Sequence, residues 1–415
     1  MRAPCGPRFT MGISPMPEAS PLPQHRFERA AEFIIGVIWA LASLAMLVGI
    51  CVLLATGNRP SGRDVISFWA AGHRIAAHTN PYDEAATLEL ERSVGFPIDK
   101  DALIMRNPPY ALPLVLLLAP FQLHAASLLW SLLLIGSLGL SVHLLWCLVG
   151  RPANWIQLLG YTFGPAMVCI LGGQSALFAL LGLVLFLRLH RDHGFAAGAA
   201  LWLCALKPHL FLPFGVVLLL WALAARRYRV LAGAASALLA GSAIATWLDP
   251  SVWAEYSRMM HSPNLSAEFI PSIGYLLRSN LPPHAAWLQY LPTAIACCWA
   301  IYYFAPRRSS WDWIHNGALL MLVSVMTSPY AWVSDHSVLI PALLAGAWRA
   351  ASRAPIAVLA LLSASIDIAQ LAGKNMHSVL YTLVACLWLA WYLYATAYRH
   401  RHNNLNAVPV SGPIT

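Results

Sequence analysis

A few polar side chains stand at the ends of long apolar stretches or between them, where an idle polar group is costly. Lys207, one of three lysines in 415 residues, sits in Leu206-Lys207-Pro208-His209. A cation there either holds an anion together with His209 or snorkels to an interface from a helix end. Asp335-His336 follows Ser328-Pro329-Tyr330-Ala331-Trp332; the acid suits a helix N-terminus, and the imidazole suits an anion contact or proton transfer. Asp64 closes Ser61-Gly62-Arg63-Asp64, which has the form of a capping box. The same carboxylate is also placed to take a proton as a general base. Gln174, behind Gly172-Gly173, reads as a cap or as a hydrogen-bonding group for a ligand. Asp367 and Gln370 lie one turn apart and are expected to pair with each other or with a neighbouring helix.

The elements that must position these groups follow from composition. Hydrophobic residues make up 59% of the chain and charged ones 10%, with a mean hydropathy of +0.62, far from the roughly 25% charged residues of soluble domains. An all-α polytopic membrane protein is expected. Apolar segments lie near 30–56, 110–122, 124–149, 155–171, 173–190, 195–206, 208–225, 229–247, 285–305, 312–328, 336–350, 354–371 and 376–398. The first carries no charge from Phe33 to Thr56 and is too long for a signal-peptide core, so it reads as a retained helix. Residues 1–29 and 399–415 read as cytoplasmic tails, the first without a fixed fold and the second ending the 30–398 transmembrane domain. The seventeen tryptophans are expected in interfacial belts.

The net charge of +9 comes from short Arg-rich runs between apolar segments. Such runs orient a membrane protein and need not imply nucleic acid. Placing Arg188/Arg191, Arg226/Arg227/Arg229, Arg307/Arg308, Arg349/Arg353 and Arg399/Arg401 inside gives cytoplasmic termini and puts the loops 57–108 and 248–284 outside. The segment 155–171 then has no room to cross and reads as a re-entrant element, broken at Gly164-Pro165, which leaves about twelve crossings. The loop 57–108 holds seven of the seventeen acids. Within it Val65, Phe68, Trp69, Gly72 and Ala76 share one face of an amphipathic interfacial helix, Asn80-Pro81-Tyr82 turns the chain, and Asn107-Pro108-Pro109-Tyr110 opens a helix.

Taken in order, the Asp before an aromatic amphipathic helix, N-P-Y, P-P-Y, G-G-Q, A-L-K-P-H and S-P-Y-A-W-V-S-D-H resemble glycosyltransferase family 87 over about residues 30–398. That resemblance implies a glycosyltransferase-C fold with a site roofed by the two external loops, at the outer face of a bacterial cytoplasmic membrane. It implies transfer of a mannose-like hexose or a pentose from a polyprenyl-phosphate donor to a glycolipid or glycan acceptor. On the matching positions, Asp64 is the base, while Lys207, His209 and His336 bind the donor phosphate. Tyr82, Asn107, Tyr110, Gln174 and Asp335 are expected against the substrates. The chain departs from the family at Asn107, where an aromatic residue is frequent, and at Tyr330, where a His or other polar residue is frequent, so the sugar stays open.

One base and cations around a departing phosphate suffice for an inverting displacement; a nucleophilic second carboxylate is needed only for a covalent route. No D-x-D pair flanks Asp64, no C-x-x-C pair exists, and His143, His190 and His193 lack companions at ligand spacing. No metal and no cofactor are expected. Without a glycine-rich phosphate loop a soluble nucleotide-sugar donor is not expected either. The competing reading is a lipid-linked-sugar flippase or secondary transporter, which predicts inverted repeats that the sequence does not display. A family member that has lost catalysis and serves as an assembly partner is the third.

Overall fold

The computed structural model describes residues 23–56, 64–262, 269–374 and 378–406. Those residues form helices and no strand, as the apolar runs require. In chain order the helices are α1 Pro23–Thr56, α2 Val65–Ala76, α3 Glu84–Ser93, α4 Leu112–Val115, α5 Leu123–Leu148, α6 Ile156–Tyr161, α7 Gly164–Gly172, α8 Ala176–Leu189 and α9 Gly194–Cys204. They continue as α10 Leu212–Ala224, α11 Tyr228–Leu248, α12 Val252–Met260, α13 Ile273–Asn280, α14 Leu291–Phe304, α15 Asn316–Met326, α16 Ile340–Arg349, α17 Arg353–Leu371 and α18 Thr382–Asn406. Helices α1 and α18 run past the expected segment ends at 30 and 398; the remainder of both tails lies outside the described residues.

Five helical stretches are long and apolar enough to cross a bilayer: Arg29–Thr56, Leu123–Leu148, Tyr228–Leu248, Arg353–Leu371 and Val379–Ala397. Shorter apolar stretches include Pro109–Leu118, Ile156–Gly172, Ala176–Leu189, Gly194–Cys204, Pro208–Ala224 and Asn316–Met326. At about 1.5 Å per residue each is too short to span a hydrocarbon core of about 30 Å alone. Helix α1 exposes Phe33, Ile34, Leu41, Leu44 and Val48, an apolar surface that suits lipid and not water.

Proline sets several helix entries. Pro109, Pro208 and Pro341 each occupy the first or second position of a helical segment, where the missing N–H would have had no partner. Between α6 and α7 the break falls at Thr162–Phe163, ahead of the expected Gly164-Pro165, because those two residues begin α7. Gly72 lets α2 cross the Pro109–Leu118 stretch at close range: a Cβ there would stand 2.4 Å from the Val115 carbonyl oxygen.

Two expectations about faces need correction. Helix α2 is covered nearly all round, with Ile66, Ala70, Ala71 and Ile75 buried beside Val65, Phe68 and Trp69, while Ala76 is exposed. Its buried face is wider than the expected stripe, with His73 and Arg74 half-buried. Nor do the tryptophans all form belts. Trp130, Trp313 and Trp388 are among the largest fully buried side chains, and Trp313 packs within 5.1 Å of Phe186, 4.9 Å of Phe214 and 5.4 Å of Trp221, ring centre to ring centre. Edge-to-face aromatic packing draws such rings inward.

Candidate functional site

The site is built around the C-terminal end of α7. Gly173 takes a left-handed φ of 73°, a conformation open to glycine at no steric cost. That turn ends the helix and lets the Gln174 amide N–H bond back to the Cys169 carbonyl at 3.0 Å, an arrangement that satisfies carbonyls left over at a helix end. The Gly173 carbonyl accepts from the Trp130 indole at 2.8 Å, and the Gly172 carbonyl accepts from the Asp64 backbone N–H at 2.8 Å. One glycine turn thereby ties the start of α2 to the end of α7, with Gln174 projecting between them.

Asp64 is the residue preceding α2, and its side chain makes no helix-capping bond. Its carboxylate Oδ2 accepts instead from Gln174 Nε2. Ser61, Gly62 and Arg63, the rest of the expected capping box, lie outside the described residues. On the other side of the amide, Gln174 Oε1 accepts from Lys207 Nζ at 2.9 Å. An ammonium only donates, so Lys207 dictates which end of the Gln174 amide faces it. The NH₂ end must then face Asp64, whose oxygen presents a lone pair, as a base does.

Lys207 sits between α9 and the 3-10 turn Pro208–Phe211 and is 8% exposed. It does not snorkel. Its Nζ also donates to Asp335 Oδ1 at 2.5 Å. The other oxygen, Asp335 Oδ2, accepts from the Trp332 backbone N–H at 2.9 Å, so the acid caps its helical turn and neutralises the lysine together. A buried charge is tolerated when paired and hydrogen-bonded in this way. The result is an unbroken chain, Asp64–Gln174–Lys207–Asp335, drawn from four separate parts of the sequence.

Aromatic and amide side chains flank that chain. The His209 ring lies 3.8 Å from the Tyr330 ring, centre to centre. Ser328 Oγ is in reach of the His209 and Tyr330 carbonyls, at 3.2 and 2.8 Å. Asn107 Nδ2 donates to the Leu206 carbonyl at 2.7 Å, and Tyr110 OH to the Ala205 carbonyl at 3.0 Å; both grip the strand of backbone that carries Lys207. The predicted turn at Asn80-Pro81-Tyr82 is present, with the Tyr82 N–H on Asn80 Oδ1 at 2.8 Å and Tyr82 OH donating to the Asn107 carbonyl at 2.9 Å. Burial first, and then Tyr256, Glu255 and Tyr110, hold the Tyr82 phenol well above its usual range, which keeps it a donor.

Of the predicted residues, His336 stands apart from the chain. It is 2% exposed, and its Nδ1 accepts from the Trp388 indole at 3.3 Å. Asp367 also differs from expectation: it does not pair with Gln370 or another helix, since neither of its oxygens has a hydrogen-bond partner among the described residues. It lies against the start of α7, where a Cβ on Gly164 would approach Asp367 Oδ1 to 3.4 Å. Among the described residues no group of three His, Cys, Asp or Glu side chains is placed to hold a metal ion.

Sequence reasoning missed Tyr256 on α12, whose ring lies 5.4 Å from that of Tyr82, and Trp253, 6.4 Å from Tyr110. The available signal was an amphipathic run, Val252, Glu255, Tyr256 and Met259, in a loop expected to face outward; nothing local said which residues it would meet.

Comparison with known proteins bears on this arrangement. The family model described as "Glycosyltransferase family 87" matches residues 106–329, just over half of the chain. The match includes Asn107, Tyr110, Gln174, Lys207, His209 and Tyr256, and leaves Asp64, Tyr82, Asp335 and His336 outside it. No curated protein and no solved structure matched the chain. With that match enclosing the Gln174–Lys207 half of the site, on a chain of apolar helices, the protein belongs to glycosyltransferase family 87.

Proposed function

We propose that the protein is an inverting glycosyltransferase that moves a hexose or pentose from a polyprenyl-phosphate donor to a glycolipid or glycan acceptor. The observation that carries the reading is the hydrogen-bonded chain linking Asp64 to Lys207 through Gln174. It ties a proton acceptor to a cation by one neutral amide, the two groups that displacement at an anomeric carbon needs. The acceptor hydroxyl oxygen forms the new bond to the anomeric carbon as the carbon–oxygen bond to the donor phosphate breaks. The hydroxyl proton passes to Asp64, and polyprenyl phosphate leaves with its negative charge facing Lys207.

Lys207 is paired with Asp335. A phosphate would take over part of the ammonium's hydrogen-bonding, and Asp335 would keep its Trp332 amide. His209, on Tyr330, and His336 supply further donors to the phosphate. Tyr82, Asn107 and Tyr110 shape the side facing the sugars. We assign the chain to the glycosyltransferase-C fold with about twelve crossings, both termini cytoplasmic and the segments 57–108 and 248–284 outside, as the alternating Arg clusters support. The site would then face the periplasm, with the lipid tail of the donor held in the bilayer.

The test is transfer of radiolabelled sugar from a panel of polyprenyl-phosphate donors by the purified chain in lipid, with and without EDTA. Wild type is expected to transfer with EDTA present, and Asp64→Asn to lose about 10²–10⁴-fold in rate, the range for a general base. No transfer from any donor, together with movement of a lipid-linked sugar across the bilayer that Asp64→Asn leaves intact, would replace this reading with a flippase.

A further inference from the structure

Helix α12 is connected to α11 by a short acidic corner. Asp249 ends α11, Ser251 precedes α12, and Glu255 lies one turn into it. Both acids are buried, at 7% and 8% exposure. The Ser251 hydroxyl is 2.8 Å from Asp249 Oδ1 and 3.1 Å from Glu255 Oε1, and the Ser251 N–H donates to the same Asp249 oxygen at 2.9 Å. One hydroxyl carries one proton, so it cannot donate to both acids at once. Asp249 Oδ1 is the nearer acceptor and also takes the Ser251 amide, and a protonated Glu255 would donate to the Ser251 oxygen in turn. The remaining oxygens, Asp249 Oδ2 and Glu255 Oε2, are inaccessible and meet no N–H or O–H of another described residue. Two buried carboxylates bridged by one hydroxyl repel each other when both are charged.

We propose that Asp249, Ser251 and Glu255 form a clasp in which the two carboxyl groups share one proton, and that this clasp positions α12 so that Tyr256 stands against Tyr82 and Trp253 against Tyr110 at the edge of the site. Asp249 and Glu255 are positioning residues, and Tyr256 is the group they deliver. The charge states follow the geometry. Burial first, and then Asp249, push the Glu255 carboxyl up to about 7, against the opposite pull of Ser251 and Arg258. Burial works against the Asp249 charge, but hydrogen bonds from Glu255 and Ser251 outweigh it and hold that group below its ordinary value.

The groups around the corner are few. Arg258 is on α12 itself, the Tyr82 phenol stays protonated and uncharged, Tyr110 faces Trp253, and His78 reaches the Leu248 carbonyl at 2.7 Å through Nδ1. None supplies a cation between the two acids. The neutral form of Glu255 is favoured in the docked state, so its contribution is full below about 4.5 and is lost as pH rises through about 7, whereas that of the ionised Asp249, held below its ordinary value, is lost in acid. That Tyr256 contacts a sugar rests on the glycosyl-transfer reading above; the clasp does not.

Hydrogen exchange on the full chain in nanodiscs tests the clasp, with protection of residues 252–260 compared at pH 6 and pH 8.5 after correction for intrinsic rates and α5 as internal standard. In wild type, α12 protection is expected to fall by up to about tenfold between these pH values, the part of the Glu255 contribution still to be lost between pH 6 and its folded value of about 7. Glu255→Gln, which carries its proton at every pH, should keep the pH 6 protection throughout, and Asp249→Asn should flatten the fall by removing the repulsion. Equal protection of wild-type α12 at both pH values, or a parallel fall in Glu255→Gln, would overturn the clasp. With active wild type, Tyr256→Ala is expected to raise KM for one substrate several-fold with little change in kcat; unchanged kinetics would remove Tyr256 from the site. A wild type that transfers no sugar would overturn glycosyl transfer and the role of Tyr256 together, and the exchange data alone would still judge the clasp.

Discussion

Asp335 and Asp367 are both buried acids in the C-terminal part of the chain, 1% and 0% exposed, yet their surroundings differ in kind. Asp335 meets Lys207 Nζ with one oxygen and the Trp332 amide with the other. Asp367 meets no hydrogen-bond donor among the described residues. The sequence treats them alike, as acids in or beside apolar segments. The comparison teaches that burial of an acid does not by itself mark a site: what sets Asp335 apart is that its partner, Lys207, is also the partner of the amide that reaches Asp64. Asp335 belongs to a chain of hydrogen-bonded groups, and Asp367 is a solitary carboxyl packed against α7.

The sharpest way to break this contrast is to remove the lysine. Lys207→Met leaves Asp335 buried without its counter-ion, a defect of about 3–5 kcal/mol, measured by thermal or denaturant unfolding in mixed micelles. Replacing both partners, Lys207→Met with Asp335→Leu, should recover most of that stability and none of the transfer activity. A single variant as stable as wild type would mean that the pair is not holding the fold.

A smaller effect of opposite sign is expected at the solitary acid. Asp367→Leu loses no partner and removes a desolvated polar group, so stability should rise by about 1 kcal/mol, the low end of an unsatisfied buried group's cost, with transfer retained. Abolished transfer in a well-folded Asp367→Leu protein would put this acid in the same class as Asp335.

Glu91 on α3 lies between the two cases and gives the finest test. It is fully buried; Oε2 accepts from the Leu103 N–H at 3.1 Å, and Oε1 has no hydrogen-bond partner among the described residues. Burial pushes its carboxyl from 4.5 to about 7, and the Leu103 amide pulls only partly the other way. Because the folded value is raised, the contribution of Glu91 is full below about 4.5 and is lost as pH rises through about 7. The Tm of wild type should therefore fall more steeply between pH 5 and pH 8 than that of Glu91→Gln. Parallel curves would show that Glu91 is ionised in the fold.

Much of this protein was readable in one dimension. The apolar runs give the helices, because a 20-residue stretch without charge has no other way to satisfy its backbone in lipid. Proline at a first or second helical position marks where segments begin, the Asn80-Pro81-Tyr82 turn closes on its own Asn side chain, and the ordered short motifs point to the family. Charge, turn chemistry and hydrophobic period are local properties, and local properties survive in a sequence.

Only the tertiary structure decided what each polar group meets. Gln174 lies 110 residues from Asp64, and Lys207 lies 128 from Asp335, separations at which no periodicity links one residue to another. Packing buried α2 on more sides than its expected stripe, and it drew Trp130, Trp313 and Trp388 from expected belts into the core. The same packing left Asp367 without a partner and brought Tyr256 to Tyr82. A side chain's type is written in the sequence, but its energy and its use depend on neighbours that arrive only when distant segments pack.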